Sequence, residues 1–186
     1  MGTVYPFVVR MARELARPDG RVLEIGCGAK HYRPLLPGEY AGLDLPDSPY
    51  LDEKPDIACS AERIEAPDAS FDLVFGVATF LIVPDVGAAF RECRRVLRPG
   101  GALLVVDYQK EVCERLRRED PNHRHAWDFA DMSRLLAASG FPPDRIEDWS
   151  RRTAAGSVKE SLRMAMAPLL RPFGLAPPWL AVAARV

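Results

Sequence analysis

Four short, mostly apolar runs most constrain how this chain can fold: RVLEI at 21–25, YAGLDL at 40–45, FDLVFGVATF at 71–80 and ALLVVDY at 102–108. They are too short for buried helices and too continuous for half-exposed strands, so they read as strands covered on both faces, as in a parallel sheet. Segments of helical spacing stand around them. Val4, Phe7, Val8, Met11 and Leu15 recur on one face ahead of the first run, with Pro6 tolerable in a first turn and ARPDG at 16–20 as the stop. PDVGAAFRECRRVL at 84–97 aligns Val86, Phe90, Cys93 and Leu97, and Pro99, Gly100 and Gly101 are expected to end that helix. Alternation of this kind argues an α/β fold, a doubly wound and mainly parallel sheet with helices on both faces.

Weaker signals fill the rest. DIAC at 56–59 is a faint strand, and HYRPLLP allows only a brief helix. A charged helix is expected around 110–118, and DFADMSRLLAASGF is expected to form another, with Leu135 and Leu136 inward and Gly140 as its stop. RIEDW at 145–149 reads as a strand, SVKESLRMAMAPLL at 157–170 as a helix and WLAVAARV at 179–186 as a closing strand. In the helix at 157–170 the stripe Leu162, Met166, Leu169 and Leu170 reads as core, with a dimer contact or an apolar substrate wall as alternatives. At 186 residues the expectation is one domain, divided into an N-terminal helix (1–19), a core (20–108) and a remainder (109–186).

With 25 basic against 26 acidic residues and a net charge of -1, the chain lacks the field that would collect a polyanion, so nucleic acid is disfavoured. Arg91, Arg94, Arg95 and Arg98 alternate with core positions and read as a solvated helix face. Cys27, Cys59, Cys93 and Cys113 form no C-x-x-C pair and fit a reducing compartment. The N-terminal residues show no signal-peptide pattern, and no apolar stretch approaches the ~20 residues of a membrane span. A cytoplasmic protein, monomeric or homodimeric, is expected.

The first strand runs directly into a turn, VLEIGCGAK at 22–30, with Gly26 and Gly28 separated by one residue. This is not the dinucleotide fingerprint, because His31 stands where a third glycine is required. Glu24, just before the turn, favours a cationic ligand and repels a pyrophosphate. Asp44 ends the second strand, where one carboxylate can accept from both ribose hydroxyls, and Ser60, Ala61 and Glu62 follow the third. Each feature alone is an ordinary turn or cap. Together, at successive strand ends, they point to a nucleoside-type ligand.

VLEIGCG, YAGLDL, CSAERIEAPDASFDLVFG and VPDVGAAFRECRRVLRPGGALLVVD together resemble the class I S-adenosylmethionine-dependent methyltransferases, in particular the small-molecule group called type 11. The match runs in register over about residues 20–108, with a looser one at LLAASGF. GCGAKHYRPLL with GLDLPDSP also resembles a bacterial subgroup found near glycan and lipid biosynthesis genes. The resemblance implies a Rossmann-like, seven-stranded sheet with an antiparallel last strand, S-adenosyl-L-methionine as cofactor and S-adenosyl-L-homocysteine as product. It implies that Glu24, Gly26, Cys27 and Gly28 lie along the methionine portion, that Asp44 holds the ribose and that Leu45 flanks the adenine. Ser60, Ala61 and Glu62 would line the adenine edge, and Gly76, Val77 and Ala78 would close over the sulfonium side. Tyr5, on the N-terminal helix, is a further candidate contact. The core at 20–108 then becomes the cofactor-binding part, and 109–186 the substrate-side and C-terminal part of one methyltransferase domain.

Methyl transfer from a sulfonium is a direct displacement that needs alignment first, and a base only when the acceptor arrives protonated. Many relatives carry Leu-Glu-His after the fourth strand, whereas this chain has Phe80, Leu81 and Ile82. An apolar acceptor held by orientation is one reading, and reduced catalysis is the other. His123 and His125 in PNHRHAW are the candidates for a base or for substrate contact, since imidazole can take a proton near neutrality. No third ligand stands at a spacing that would make H-x-H a metal site, so no metal is expected. His31, beside the turn, is expected near the cofactor. The expectation is therefore an enzyme methylating a small molecule on oxygen or nitrogen rather than carbon, with a hydrophobic, glycan-linked or secondary-metabolite acceptor. A cofactor-binding module or partner subunit without turnover is the first alternative and a nicotinamide dehydrogenase the second.

Overall fold

The computed structural model describes residues 5–150 and 179–186. The helix expected at 157–170, with its Leu162, Met166, Leu169 and Leu170 stripe, falls outside the described residues. Within them, helix α1 (Pro6–Leu15) precedes strand β1 (Arg21–Ile25), followed by β2 (Glu39–Asp44) and β3 (Ile57–Ala58). Then come β4 (Phe71–Val77), α2 (Val86–Val96), β5 (Leu97–Tyr108), α3 (Lys110–Leu116), α4 (Phe129–Ala138), β6 (Ile146–Asp148) and β7 (Trp179–Arg185).

The strands form one sheet in the order β3-β2-β1-β4-β5-β7-β6. β1 pairs parallel with both β2 and β4, β4 pairs parallel with β5, and β7 lies antiparallel between β5 and β6. The chain therefore builds outward from β1 in one direction, returns to β4 and builds in the other. The crevice between the C-terminal ends of β1 and β4 is the switch point at which such sheets bind ligands.

Successive residues of the central strands serve opposite faces. Leu23, Ile25, Val74, Leu103 and Val105 join Phe90, Cys93, Met132 and Leu136 in the core under α2 and α4. Val22, Leu73, Phe75, Leu104 and Val106 pack with Val8, Met11 and Leu15 of α1 on the other side. This two-sided burial is why the strand runs lack a polar alternation. All four cysteines are buried as free thiols.

The fourth strand ends at Val77, where Ala78 takes a left-handed φ of 51° and the chain turns into a short 3-10 segment at Phe80–Ile82. Two expectations are corrected. Pro99, Gly100 and Gly101 do not end α2. The helix stops at Val96, where Leu97 turns extended and pairs with Phe71, and Arg98–Gly101 form an irregular start to β5 with a register shift between Phe71 and Leu73. Nor is the arginine row simply solvated. Arg95 donates to the carbonyls of Ala66 and Ile64 and to the carboxylates of Glu92 and Asp68, and Arg98 pairs with the buried Asp72 at 2.6 Å. Arg94 Nε donates to the Gly140 carbonyl at 2.6 Å.

Candidate functional site

The turn after β1 sits at the switch point. Ile25 is paired with Gly76, so the first glycine turn and the end of β4 lie side by side. Gly26 and Gly28 have φ of 68° and 47°, a region L side chains rarely adopt. A Cβ on Gly26 would lie 2.5 Å from Thr79 Oγ1, so the turn needs glycine for space as well as for conformation. Gly26 and Cys27 donate their amides to the Leu43 carbonyl, which ties the turn to the end of β2. Gly76 serves packing: a Cβ there would meet the Phe80 ring at 2.7 Å.

Asp44 lies directly across from the second glycine. Its Oδ2 accepts from the Gly28 amide at 2.9 Å and its Oδ1 from its own neighbour Leu45 at 2.8 Å. The carboxylate is thus pinned at the mouth of the turn. Ser60 Oγ accepts from the Glu62 amide at 3.2 Å, and Glu62 Oε1 accepts from the Asp85 amide at 2.6 Å, so the segment after β3 is fastened to the start of α2. Ala61 is buried beneath it.

Glu24 is 4% exposed and accepts a short hydrogen bond from the Tyr40 hydroxyl. Burial pushes its carboxyl up to about 8, against the Tyr40 hydrogen bond and with a further rise from Asp44. At neutral pH the Glu24 carboxyl is therefore mostly protonated. Burial and the same acids push the Cys27 thiol up to about 12, which makes it an inert wall rather than a nucleophile.

A second layer holds the loop after β2. Lys30, itself buried, donates to the Lys54 carbonyl at 2.7 Å and pairs with Glu53 at 3.2 Å and Asp56 at 3.3 Å, while Arg33 pairs with the same two acids. Asp56 accepts a hydrogen bond from the Gly42 amide, and against partial desolvation that bond, with Lys30 and Arg33, holds its carboxyl below the usual range. The clamp places Tyr50 over the glycine turn, with its carbonyl oxygen 3.2 Å and its Cβ 3.5 Å from a Cβ built on Gly28. Tyr50 is 73% exposed and Leu45 50%. With Ile82 at 38%, these are the exposed large hydrophobic side chains among the described residues, and all three stand at this edge of the sheet. Exposed apolar groups gathered in one place mark a binding surface. An open cleft lined by Arg13, Ala16, Leu35 and Pro37 lies instead near the starts of β1 and β2.

On the far side of β4, Val77 leads into Ala78, whose amide bonds to the Val106 carbonyl, and then into Thr79. Asp107, at the end of β5, is fully buried, and its Oδ1 accepts from the Thr79 amide at 3.1 Å. The segment carrying the two histidines docks on this turn, since the His125 amide donates to the Leu81 carbonyl. His125 Nε2 lies 2.7 Å from the Val83 carbonyl, which fixes the proton there and leaves Nδ1 as the basic nitrogen. Its ring stacks on Trp127 at 4.9 Å. His123 engages Asp120 of its own loop, with Nδ1 3.3 Å from the Asp120 carbonyl. His31 Nε2 is buried without a partner among the described residues. Tyr5 caps α1, donates its amide to the Tyr32 hydroxyl, and meets Trp179 edge-on in an aromatic group that includes Tyr108.

Sequence reasoning missed Tyr50, Thr79 and Asp107. Asp107 had a usable signal, an acid closing an apolar run just as Asp44 closes YAGLD. Tyr50, a lone aromatic in a polar loop, had none until the loop was folded back.

A family model described as a methyltransferase domain matches residues 23–105, the stretch containing the glycine turn, Asp44 and the turn into β4. Over those residues the chain is similar to methyltransferase domains. Malonyl-[acyl-carrier protein] O-methyltransferase of Methylococcus capsulatus is 29% identical over 166 residues, covering 78% of this chain and 60% of that protein. The ubiquinone/menaquinone biosynthesis C-methyltransferase of Caulobacter sp. strain K31 is 43% identical over 61 residues, covering 31% of this chain and 23% of that protein. The chain thus spans less than two thirds of the length of either relative. Among solved structures, the YcgJ protein of Bacillus subtilis superposes with a TM-score of 0.68 at 20% identity, covering 96% of this chain and 95% of that one, which shows a shared fold. Among the described residues no helix is long and apolar enough to cross a membrane.

Proposed function

We propose that this methyltransferase domain binds S-adenosyl-L-methionine in the crevice between β1 and β4 and transfers its methyl group to oxygen or nitrogen of a small molecule. The observation that carries the reading is the convergence at one sheet edge of the glycine turn, two acids and the exposed Leu45 and Tyr50. Asp44 is placed for a ribose, Leu45 and Tyr50 for the nucleoside, and Glu24 for the cationic methionine end. When bound, the cofactor supplies an already activated methyl group, and the residues around it align the acceptor and exclude water.

The acceptor side is the turn after β4. Ile82, 38% exposed, is the apolar side chain this turn presents, with Phe80 and Leu81 buried behind it, and it suits an acceptor with a hydrophobic body. Reaction at oxygen or nitrogen is favoured because the O-methyltransferase relative aligns over 78% of the chain, substrate-side segments included, whereas the C-methyltransferase aligns over 31%. His125 Nδ1 is the basic nitrogen nearest this turn by chain contact and is the proposed proton acceptor.

Calorimetric titration with S-adenosylmethionine, S-adenosylhomocysteine and NAD tests the site. Binding of the first two and not the third is expected, and a chain that binds neither nucleoside would overturn the proposal. Release of S-adenosylhomocysteine with a panel of carboxylic, phenolic and amine acceptors then separates an enzyme from a module that only binds. The latter reading draws on Phe80–Ile82, which replace the polar residues of many relatives.

A further inference from the structure

We infer that Asp107 is a positioning residue: its buried carboxylate locks the turn after β4 to the Trp127–His125 stack, so that the two form one wall beside the switch point. Calling that wall the acceptor side rests on the proposed function; the locking itself does not.

The carboxylate lies where three strand-end segments meet. Its Oδ1 takes the Thr79 amide at 3.1 Å. Thr79 is the side chain against which Gly26 turns, so this contact reaches the glycine turn of β1. On the other side stands Trp127, 5% exposed, whose indole faces the carboxylate closely enough to favour its charged form. Yet Asp107 Oδ2 and Trp127 Nε1 both lack a partner at full hydrogen-bond geometry, an acceptor and a donor buried side by side with no other neighbour to satisfy them. Trp127 carries His125 flat against it at 4.9 Å with 8° between the planes, and His125 returns to the turn through its amide on Leu81 and its ring on Val83. The circuit from Asp107 through Trp127 and His125 back to Leu81 is closed apart from that one link. An acid that merely filled a strand end would need the Thr79 amide and no indole.

Asparagine separates these roles. Asp107→Asn keeps an oxygen for the Thr79 amide but sets an N–H2 group opposite the indole N–H, and Trp127→Phe removes that donor. The full chain carrying D107N, W127F or both is followed by amide hydrogen exchange, by the indole N–H resonances and by S-adenosylhomocysteine titration. In D107N the His125 amide is expected to exchange about tenfold faster or more while amides of β1 and α2 hold their rates, and adding W127F is expected to recover most of that loss. W127F alone, with the carboxylate intact, is expected to speed His125 exchange but not that of Thr79. The indole resonance missing in W127F is expected to titrate in the wild type and to stand still in D107N. Affinity for S-adenosylhomocysteine is expected to stay within about twofold in every variant, while turnover of the best acceptor in the panel falls about tenfold or more in D107N. Uniformly faster exchange throughout D107N, additive effects in the double variant, or an indole resonance indifferent to pH would overturn the inference. A wild type that fails to bind S-adenosylhomocysteine would instead remove the proposed function and leave the exchange and resonance tests of Asp107 standing.

Discussion

Asp44 and Tyr50 make the site's case residue by residue, because each is held in place by something other than a ligand. Asp44 Oδ2 already accepts from the Gly28 amide, so the carboxylate needs no rearrangement to receive a hydroxyl on its free lone pairs. Asp44→Ala is expected to weaken S-adenosylmethionine binding by ~1.5–3 kcal/mol, the value of hydrogen bonds to a charged group, as read by calorimetry. An unchanged affinity would mean that the ribose lies elsewhere. Tyr50 is a costly residue to leave 73% exposed, and the Lys30–Asp56 clamp holds its loop against Gly28. Tyr50→Ala is expected to lose about 0.5–1.5 kcal/mol of cofactor affinity, and Tyr50→Phe to lose almost none, because the ring face and not the hydroxyl supplies the contact.

At the scale of elements, α2 shows how a helix can be anchored by its exposed side. Its buried stripe of Val86, Ala89, Phe90, Cys93 and Val96 packs on the sheet, while Arg95 reaches across to the loop before β4 and satisfies the carbonyls of Ile64 and Ala66. Glu92 completes the joint by accepting from the Ile64 amide at 2.8 Å. Arg95→Ala strips the Ala66 carbonyl of its guanidinium partner, leaves the Ile64 carbonyl with the Ala66 amide alone, and unpairs Glu92; it is expected to cost about 1–3 kcal/mol in urea unfolding, well above the effect of removing an exposed helix arginine. Nothing in the sequence distinguishes Arg95 from Arg91, since both recur at solvent-side spacing and the difference lies in which loop folds beneath them. The long apolar runs were legible because burial on both faces writes itself into every residue of the strand. The left-handed φ at Ala78 was not, because it is imposed by the Val106 carbonyl and the neighbouring glycine turn rather than by alanine itself. Likewise PGG at 99–101 carries a strong stop signal, yet pairing of Leu97 with Phe71 ends the helix at Val96, before the glycines are reached. The glycine turn and Asp44 were legible as a site because strand ends in a parallel sheet converge; Tyr50 and Asp107 depend on how loops return over that edge.

Taken as a whole molecule, the sheet keeps two acids whose carboxyls burial raises on either side of β4, Glu24 on β1 and Asp107 on β5, and this sets how stability depends on pH. Burial raises Glu24 from 4.5 to about 8 and Asp107 from 3.8 to about 7. Between the unfolded and folded values the native state holds protons that the unfolded chain has released, so stability is fully present below about 4 and is lost as pH rises through 7 and 8. Asp56 and Glu92 act in the opposite sense: their carboxyls are lowered, so their stabilisation is present above the ordinary carboxylate range and disappears as the solution becomes acidic. The two trends place maximum stability of the empty protein on the mildly acid side, near pH 5, rather than at neutrality. Urea unfolding across a pH series is expected to show a decline of a few kcal/mol from there to alkaline pH. Glu24→Gln, which still accepts from Tyr40 but cannot ionise, is expected to remove the alkaline part of that decline. A bound sulfonium and ammonium would favour ionised Glu24, so S-adenosylmethionine affinity is expected to rise with pH up to about 8 in the wild type and to gain less in Glu24→Gln. Stability that instead climbed steadily from acid to alkaline pH would show that Glu24 and Asp107 are ionised in the folded chain, and the charge pattern assigned to this edge of the sheet would have to be reversed.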